Sequence, residues 1–147
     1  MANVATMKAS AATAETPGRV VIAARDHRLT IDAPPLIGGT NEEMNPVEMF
    51  LGSLAACGVL FIQRVASEIG VTLEDAQAFV EGDFDPRGVK GEDVEADFQV
   101  IRFRYEVKGP DKEEAQKLVE GFRQRCPLYR SVAKAVAISE ELLVVEA

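Results

Sequence analysis

The stretch between Asn45 and Gly70 restricts the fold more than any other part of the chain. Asn45 suits a helix N-cap, Pro46 the first helical position and Glu48 the third, from which a carboxylate can reach back to the cap. Phe50, Leu51, Leu54, Phe61, Ile62, Val65 and Ile69 then recur at helical spacing, and Gly70 suits the position just past the end. The segment is apolar on most sides until Gln63, which predicts a helix buried all round rather than one lying on a surface. At 1.5 Å per residue such a helix runs about 35 Å, the width of a small domain. One subunit of this size would struggle to cover it, so the pattern predicts a second subunit.

The rest of the sequence supplies sheets and shorter helices. Pro17-Gly18 marks a turn, and the β-branched run Val20-Val21-Ile22 is followed, after the polar segment Arg25-Asp26-His27-Arg28, by Leu29-Thr30-Ile31. These predict an antiparallel meander over about residues 4–14, 19–25 and 28–32, its first strand the weakest. Residues 1–16 are therefore expected to be weakly ordered or to hold that strand, within a single domain spanning 1–147. Pro34-Pro35 and Gly38-Gly39 mark a loop that lacks the spacing and the lysine of a phosphate loop. Ala78, Val80 and Phe84 predict a strand. Val94, Ala96, Phe98 and Val100 alternate on one face and Ile101, Phe103, Tyr105 and Val107 on the other, a phase slip that reads as a β-bulge or bend. Asp111 and Glu114 cap a helix whose core face is Ala115, Leu118, Val119 and Phe122. A short helix over 128–134 and a strand over 142–145 complete the chain.

Composition narrows the function classes. A net charge of −8 argues against a nucleic-acid surface and against an anionic membrane. The first sixteen residues show no secretory pattern, and the uncharged run from Met49 to Ile62 is too short to span a bilayer, so a cytoplasmic location is expected. There a pair of cysteines is more often redox-active than structural. With only two cysteines and one histidine, the chain lacks the ligands of a structural zinc site. A Cys-His hydrolase would have to use His27, which sits in a charged turn. Cys57 lies mid-helix in Leu54-Ala55-Ala56-Cys57-Gly58, where a free cysteine can simply be a small core residue. Cys126, in Arg125-Cys126-Pro127, stands where a helix begins, with Arg123, Arg125 and Arg130 near in sequence, and both features lower a thiol pKa.

Asn45-Pro46-Val47-Glu48-Met49-Phe50 running into Ala55-Ala56-Cys57, preceded by Gly38-Gly39 and followed far downstream by Arg125-Cys126-Pro127, resembles the OsmC/Ohr family from about Gly18 to the C-terminus. The resemblance implies an α+β fold, with antiparallel sheets wrapped around long central helices in an intertwined homodimer. It implies a thiol peroxidase needing no metal and no bound cofactor. In it Cys57 attacks a hydroperoxide and becomes a sulfenic acid, and Cys126 condenses with it to a disulfide that a lipoyl- or thioredoxin-type dithiol reduces. It also implies an activating arginine on the early strands, paired with a glutamate at the helix start. Arg25 and Glu48 are the candidates, with Arg19 and Arg28 as alternatives to Arg25. In the Ohr branch the glutamate directly follows Asn-Pro; here Val47 stands there, and at about 100° per residue Glu48 falls almost opposite Cys57 around the helix. The capping role suits Glu48 better, and the departure points to the general OsmC-like branch. The rival reading is a binding module with an apolar interfacial pocket lined by Phe50, Leu54 and Phe61.

Overall fold

A computed structural model describes residues 3–145. The chain forms two compact units that divide between Met49 and Phe50. The first holds an antiparallel meander in the order β1 (Ser10–Thr13), β2 (Arg19–Ala24), β3 (His27–Asp32). Val20 pairs with Ile31 and Ala24 with His27, leaving Arg25-Asp26 as the hairpin loop, with Arg25 in the left-handed region at φ 55°. The strand boundaries follow the sequence pattern closely, except that β1 is much shorter than expected.

Gly18 and Gly39 explain the glycines flanking this sheet. A Cβ on Gly39 would lie 1.8 Å from the Ala33 carbonyl oxygen, and one on Gly18, at φ 81°, would lie 2.5 Å from Gly39 Cα. Gly38-Gly39 thus serves close backbone approach, locked by the bond from Ala33 N–H to the Gly18 carbonyl at 2.9 Å.

Helix α1 runs Pro46–Ile69. Its first turn is the expected capping box: Asn45 Oδ1 accepts from Val47 N–H at 2.9 Å and Glu48 N–H at 3.0 Å, and Glu48 Oε2 accepts from Asn45 N–H at 2.9 Å.

In the second unit, α1 from Phe50 onward packs with a sheet in the order β4 (Asp75–Asp83), β5 (Val100–Lys108), β6 (Ala137–Val145) and with α3 (Lys112–Arg125). Strands β4 and β5 are antiparallel, whereas β5 and β6 are parallel. Central strand β5 buries Ile101, Phe103, Tyr105 and Val107. Against them α3 buries Ala115, Leu118, Val119 and Phe122, its predicted core face, behind a complete Asp111/Glu114 capping box. Helices α1 and α3 approach so closely that a Cβ on Gly121 would sit 2.6 Å from Val65 Cγ2. Phe122 is the hub: its ring meets those of Phe61, Phe103, Tyr105 and Tyr129 at centroid distances of 5.1 to 6.2 Å. Removing such a ring costs about 3–5 kcal/mol.

Four expectations are corrected. Residues 94–99 are not a strand: Phe98 turns inward to stack on Phe50 and meet Phe84 edge-on, above Gly82, where any larger side chain would strike its ring. The phase slip at Val100-Ile101 is therefore the start of β5 rather than a bulge within it. Asp85 and Pro86 open a one-turn helix, α2 (Pro86–Val89), in the intervening connection. The last strand is much longer than expected, and the last helix, α4 (Pro127–Val132), ends earlier.

Burial of α1 is one-sided. Leu54, Gly58, Ile62, Val65 and Ala66 are buried, while Leu60 is 63% exposed and Ile69 49%. The all-round apolar pattern is thus satisfied by this chain on one face only. By length and composition α1 as a whole could cross a membrane, which the short uncharged run had argued against. Its buried face belongs to the core of the second unit.

Candidate active site

Cys57 and Cys126 meet within the second unit. Cys57 stands between the buried residues Leu54 and Gly58 of α1 and packs against the core while keeping part of its surface exposed. Gly58 matters to this placement, because the space beside it is taken by Ala78 Cβ at 3.4 Å and Tyr105 Cε1 at 3.5 Å from where its Cβ would be. Cys126 is fully buried, at the joint where α3 ends and α4 begins. Its N–H donates to the Phe122 carbonyl at 2.9 Å, closing α3, and its Sγ accepts from Tyr129 N–H at 3.4 Å, opening α4. Pro127 forces the joint, since it cannot continue α3 and is well suited to start α4.

Both cysteines are free thiols, and they lie close enough for each to bear on the other's ionisation. Burial first, and then the charge and hydrogen bond of the adjacent Cys126, push the Cys57 thiol up to about 11. At neutral pH this environment holds Cys57 protonated. Cys57 keeps part of its surface exposed, whereas Cys126 beside it is sealed.

The cations near Cys126 in sequence are directed elsewhere. Arg125 holds Glu68 at 2.5 and 3.0 Å, which with Arg64 draws that carboxyl down to about 2. Arg123 Nε lies 2.9 Å from Glu140 Oε2, and Arg130 donates to the Gln124 carbonyl at 2.9 Å. Their proximity to Cys126 in sequence therefore does not translate into ion pairing with the thiol.

The remaining candidates lie in the first unit. Glu48 is engaged as the cap of α1, as its angular position predicted. Arg25 is exposed at the tip of the β2–β3 hairpin. Arg19 is the arginine this unit immobilises, in a network the sequence reading did not find. Asp32, wholly buried, accepts from Thr40 Oγ1 at 2.6 Å, from the Thr40 and Glu42 N–H groups at 3.1 Å each, and from Arg19 Nε at 3.3 Å; Glu42 and Thr40 take the other side of the guanidinium. The Thr40 hydroxyl above all, then the two N–H groups and Arg19, hold the Asp32 carboxyl far below its usual range despite its burial. The available signal was an acidic residue closing an inward-facing strand end, Ile31-Asp32, just ahead of Pro34-Pro35.

Of the rival pocket's lining, Leu54 is fully buried and Phe61 packs on Phe122, so these two build core in the single chain rather than an open cleft. Among the described residues no group of three or more His, Cys, Asp or Glu side chains is placed to hold a metal ion.

The OsmC-like protein family matches over residues 39–141. No curated protein matches the chain in sequence. Among solved structures, the OsmC-like protein from Mycoplasma pneumoniae is 17% identical and superposes with a TM-score of 0.77 over 95% of this chain and 98% of its own. An organic hydroperoxide resistance protein OsmC from Legionella pneumophila is 22% identical, with a TM-score of 0.72 over 97% and 99%. An organic hydroperoxide resistance protein from Elizabethkingia anophelis, solved with thiocyanate bound, is 20% identical, with a TM-score of 0.75 over 99% and 100%. The α+β fold is theirs.

Proposed function

The chain belongs to the OsmC-like protein family, and on that premise we propose that it is a thiol peroxidase that reduces hydroperoxides through Cys57 and Cys126. The observation that carries this reading is the contact between two free thiols from distant parts of the sequence, one partly exposed and one sealed. The hydroperoxide resistance proteins that share the fold agree with it.

The Cys57 thiolate attacks the outer peroxide oxygen, the O–O bond breaks, and the inner oxygen leaves as an alcohol or water once it takes a proton. Sulfur is oxidised to the sulfenic acid. The Cys126 sulfur then displaces hydroxide from that sulfenic acid, which takes the proton of the Cys126 thiol and leaves as water, and forms the disulfide. An external dithiol of the lipoyl or thioredoxin type restores both thiols by exchange. Nucleophilic attack requires the thiolate, so Cys57 must be brought well below about 11. The cation assigned to this task is Arg25, with Arg19 and Arg28 as alternatives; Glu48 serves as a helix cap. The reducing environment that regenerates the dithiol fits the cytoplasm.

The working form is a homodimer. Leu60, Phe50 and Ile69 leave apolar surface of α1 open that a second copy would cover. Light scattering at micromolar concentration checks this, and a stable monomer would contradict it.

The test of the activity is one equivalent of an alkyl hydroperoxide added to the reduced protein, followed by mass spectrometry of peptides. A Cys57–Cys126 disulfide formed with loss of peroxide is the expected result. Unchanged thiols and unchanged peroxide would remove the reading and leave a binding protein whose cysteines are core residues.

A further inference from the structure

Strand β6 turns Ile138, Glu140 and Leu142 toward the interior of the second unit, so one carboxylate interrupts an otherwise apolar face. Glu140 lies opposite Phe103 in the β5–β6 register, and only 16% of its side chain is exposed. A carboxylate in that position is tolerated only if donors surround it. Two hydroxyls donate to it and one guanidinium pairs with it in charge, each from a different element. Tyr105 on β5 donates to Oε1 at 2.9 Å, Tyr129 on α4 donates to Oε2 at 3.2 Å, and Arg123 on α3 brings Nε to 2.9 Å of Oε2.

Two of these partners bracket Cys126. Arg123 is in the last turn of α3, which ends at Cys126, and Tyr129 is in the first turn of α4, which begins there. Tyr129 is fastened twice. Its phenol is bound to Glu140 and its ring packs between Phe103 and Phe122, at 5.5 and 5.1 Å. Its own N–H is the donor to Cys126 Sγ. Burial and the Glu140 charge push the Tyr129 phenol up to about 12, so at neutral pH it is a donor.

We infer that Glu140 is a positioning residue for Cys126: it ties the end of α3 and the start of α4 to the sheet and so holds the second thiol against Cys57. The inference rests on the Cys57/Cys126 redox reading, and goes beyond it in naming what governs the second step. Glu140 touches neither sulfur. Its effect should fall on disulfide formation and leave the attack of Cys57 on peroxide alone.

Tyr129→Phe is the mildest probe, because it removes one hydroxyl and keeps the ring and the N–H donor. Glu140→Gln is the second, keeping shape and one acceptor while removing the charge that faces Arg123. Two rates are followed in each variant: the first oxidation, from peroxide loss in a single turnover, and the closure of the sulfenate to the disulfide, from competition with a dimedone-type trap. Losing one such hydrogen bond is expected to slow closure about five- to tenfold, with the first oxidation within about twofold of the parent. The dithiol–disulfide equilibrium in a glutathione redox buffer, where oxidised glutathione takes up the two electrons and leaves as two thiols, should shift toward the dithiol by a similar factor. That arm needs no peroxide. If the parent protein ignores peroxide yet both variants loosen the disulfide, the positioning role stands and the peroxidase reading falls. If closure and the glutathione equilibrium are unchanged in both variants, or if first oxidation slows as much as closure in Tyr129→Phe, the positioning role is overturned whatever the peroxide result.

Discussion

Asp32 in the first unit and Cys57 in the second are both acids withdrawn from water, and their surroundings drive them in opposite directions. Asp32 is the more deeply buried, yet four donors converge on it and keep it ionised well below the usual carboxylate range. Cys57 is less buried, and within its own unit it meets apolar side chains and another thiol, which together raise it to about 11. What decides the charge state is the set of donors and not the depth of burial. The first arrangement fixes a charge permanently. The second keeps a thiol protonated, and under the proposed function its reaction depends on a cation brought to it.

The sharpest way to break this contrast is to remove the sulfur. Cys57→Ser should lower peroxide consumption by at least about a thousandfold, because a serine hydroxyl is a far weaker nucleophile than a thiolate. Cys126→Ser should consume one equivalent and then stop as a sulfenic acid that dimedone traps. Equal loss of the first step in both variants would mean that the two roles are reversed or shared.

A somewhat smaller effect is expected from the cation. If Arg25 supplies it, the pH dependence of Cys57 alkylation by iodoacetamide should place the working thiol well below 11 in the parent. In Arg25→Met it should return toward that value, with peroxide reduction at neutral pH slowed about a hundredfold or more. Arg19→Met is the control, and the larger change in that variant would transfer the role to Arg19. A parent thiol that already titrates near 11 would mean that neither arginine activates it.

How far these assignments could be read from the sequence differs by element. Both capping boxes, the α3 core face and the β2–β3 hairpin rest on local patterns within one or two turns, and the structure reproduces them. The strand expected over 94–99 failed because alternation alone cannot tell a strand from a loop that buries one aromatic, as Phe98 does. The parallel pairing of β5 with β6 is a long-range choice with no local signature. The same holds for the meeting of Cys57 with Cys126, which a family resemblance implied and spacing could not. Asp32 and Glu140 were missed for a related reason. A charged residue on an inward face shows in the pattern only as an exception, and its partners come from other elements.

Asp32 provides the next test, this time of stability. Asp32→Asn replaces an acceptor of four donors with a group that has one acceptor oxygen and adds two N–H groups where donors already crowd. The unfolding temperature at neutral pH should fall by about 5 °C or more, given how steeply midpoints follow stability in domains of this size. The sign with pH is fixed by the direction of the shift. Because the folded carboxyl sits below its unfolded value, its stabilisation is complete above about pH 4 and declines as the pH falls. The gap between parent and variant should therefore narrow in acid. A constant gap from pH 7 to pH 3 would mean that the network acts through packing and not through its charge.

The smallest effect is expected at Arg125, and it bears directly on the contrast because this residue adjoins Cys126. Its guanidinium is committed to Glu68, whose carboxyl it draws down, with help from Arg64, to about 2 from an ordinary 4.5. Both side chains are 39% exposed, so solvent and salt screen the pair and its worth is small. Its stabilisation is present above about pH 4.5 and is lost as the pH falls toward 2. Arg125→Met should therefore shift the unfolding midpoint by only about 1–2 °C at neutral pH. That shift should shrink in molar salt and disappear near pH 2. Peroxide turnover should stay within about twofold of the parent, since the charge that Arg125 carries is already answered by Glu68. A tenfold loss of turnover with an unchanged midpoint would show instead that the thiol pair feels this cation, and the separation drawn between a fixed charge and a protonated thiol would have to admit a third contributor next to Cys126.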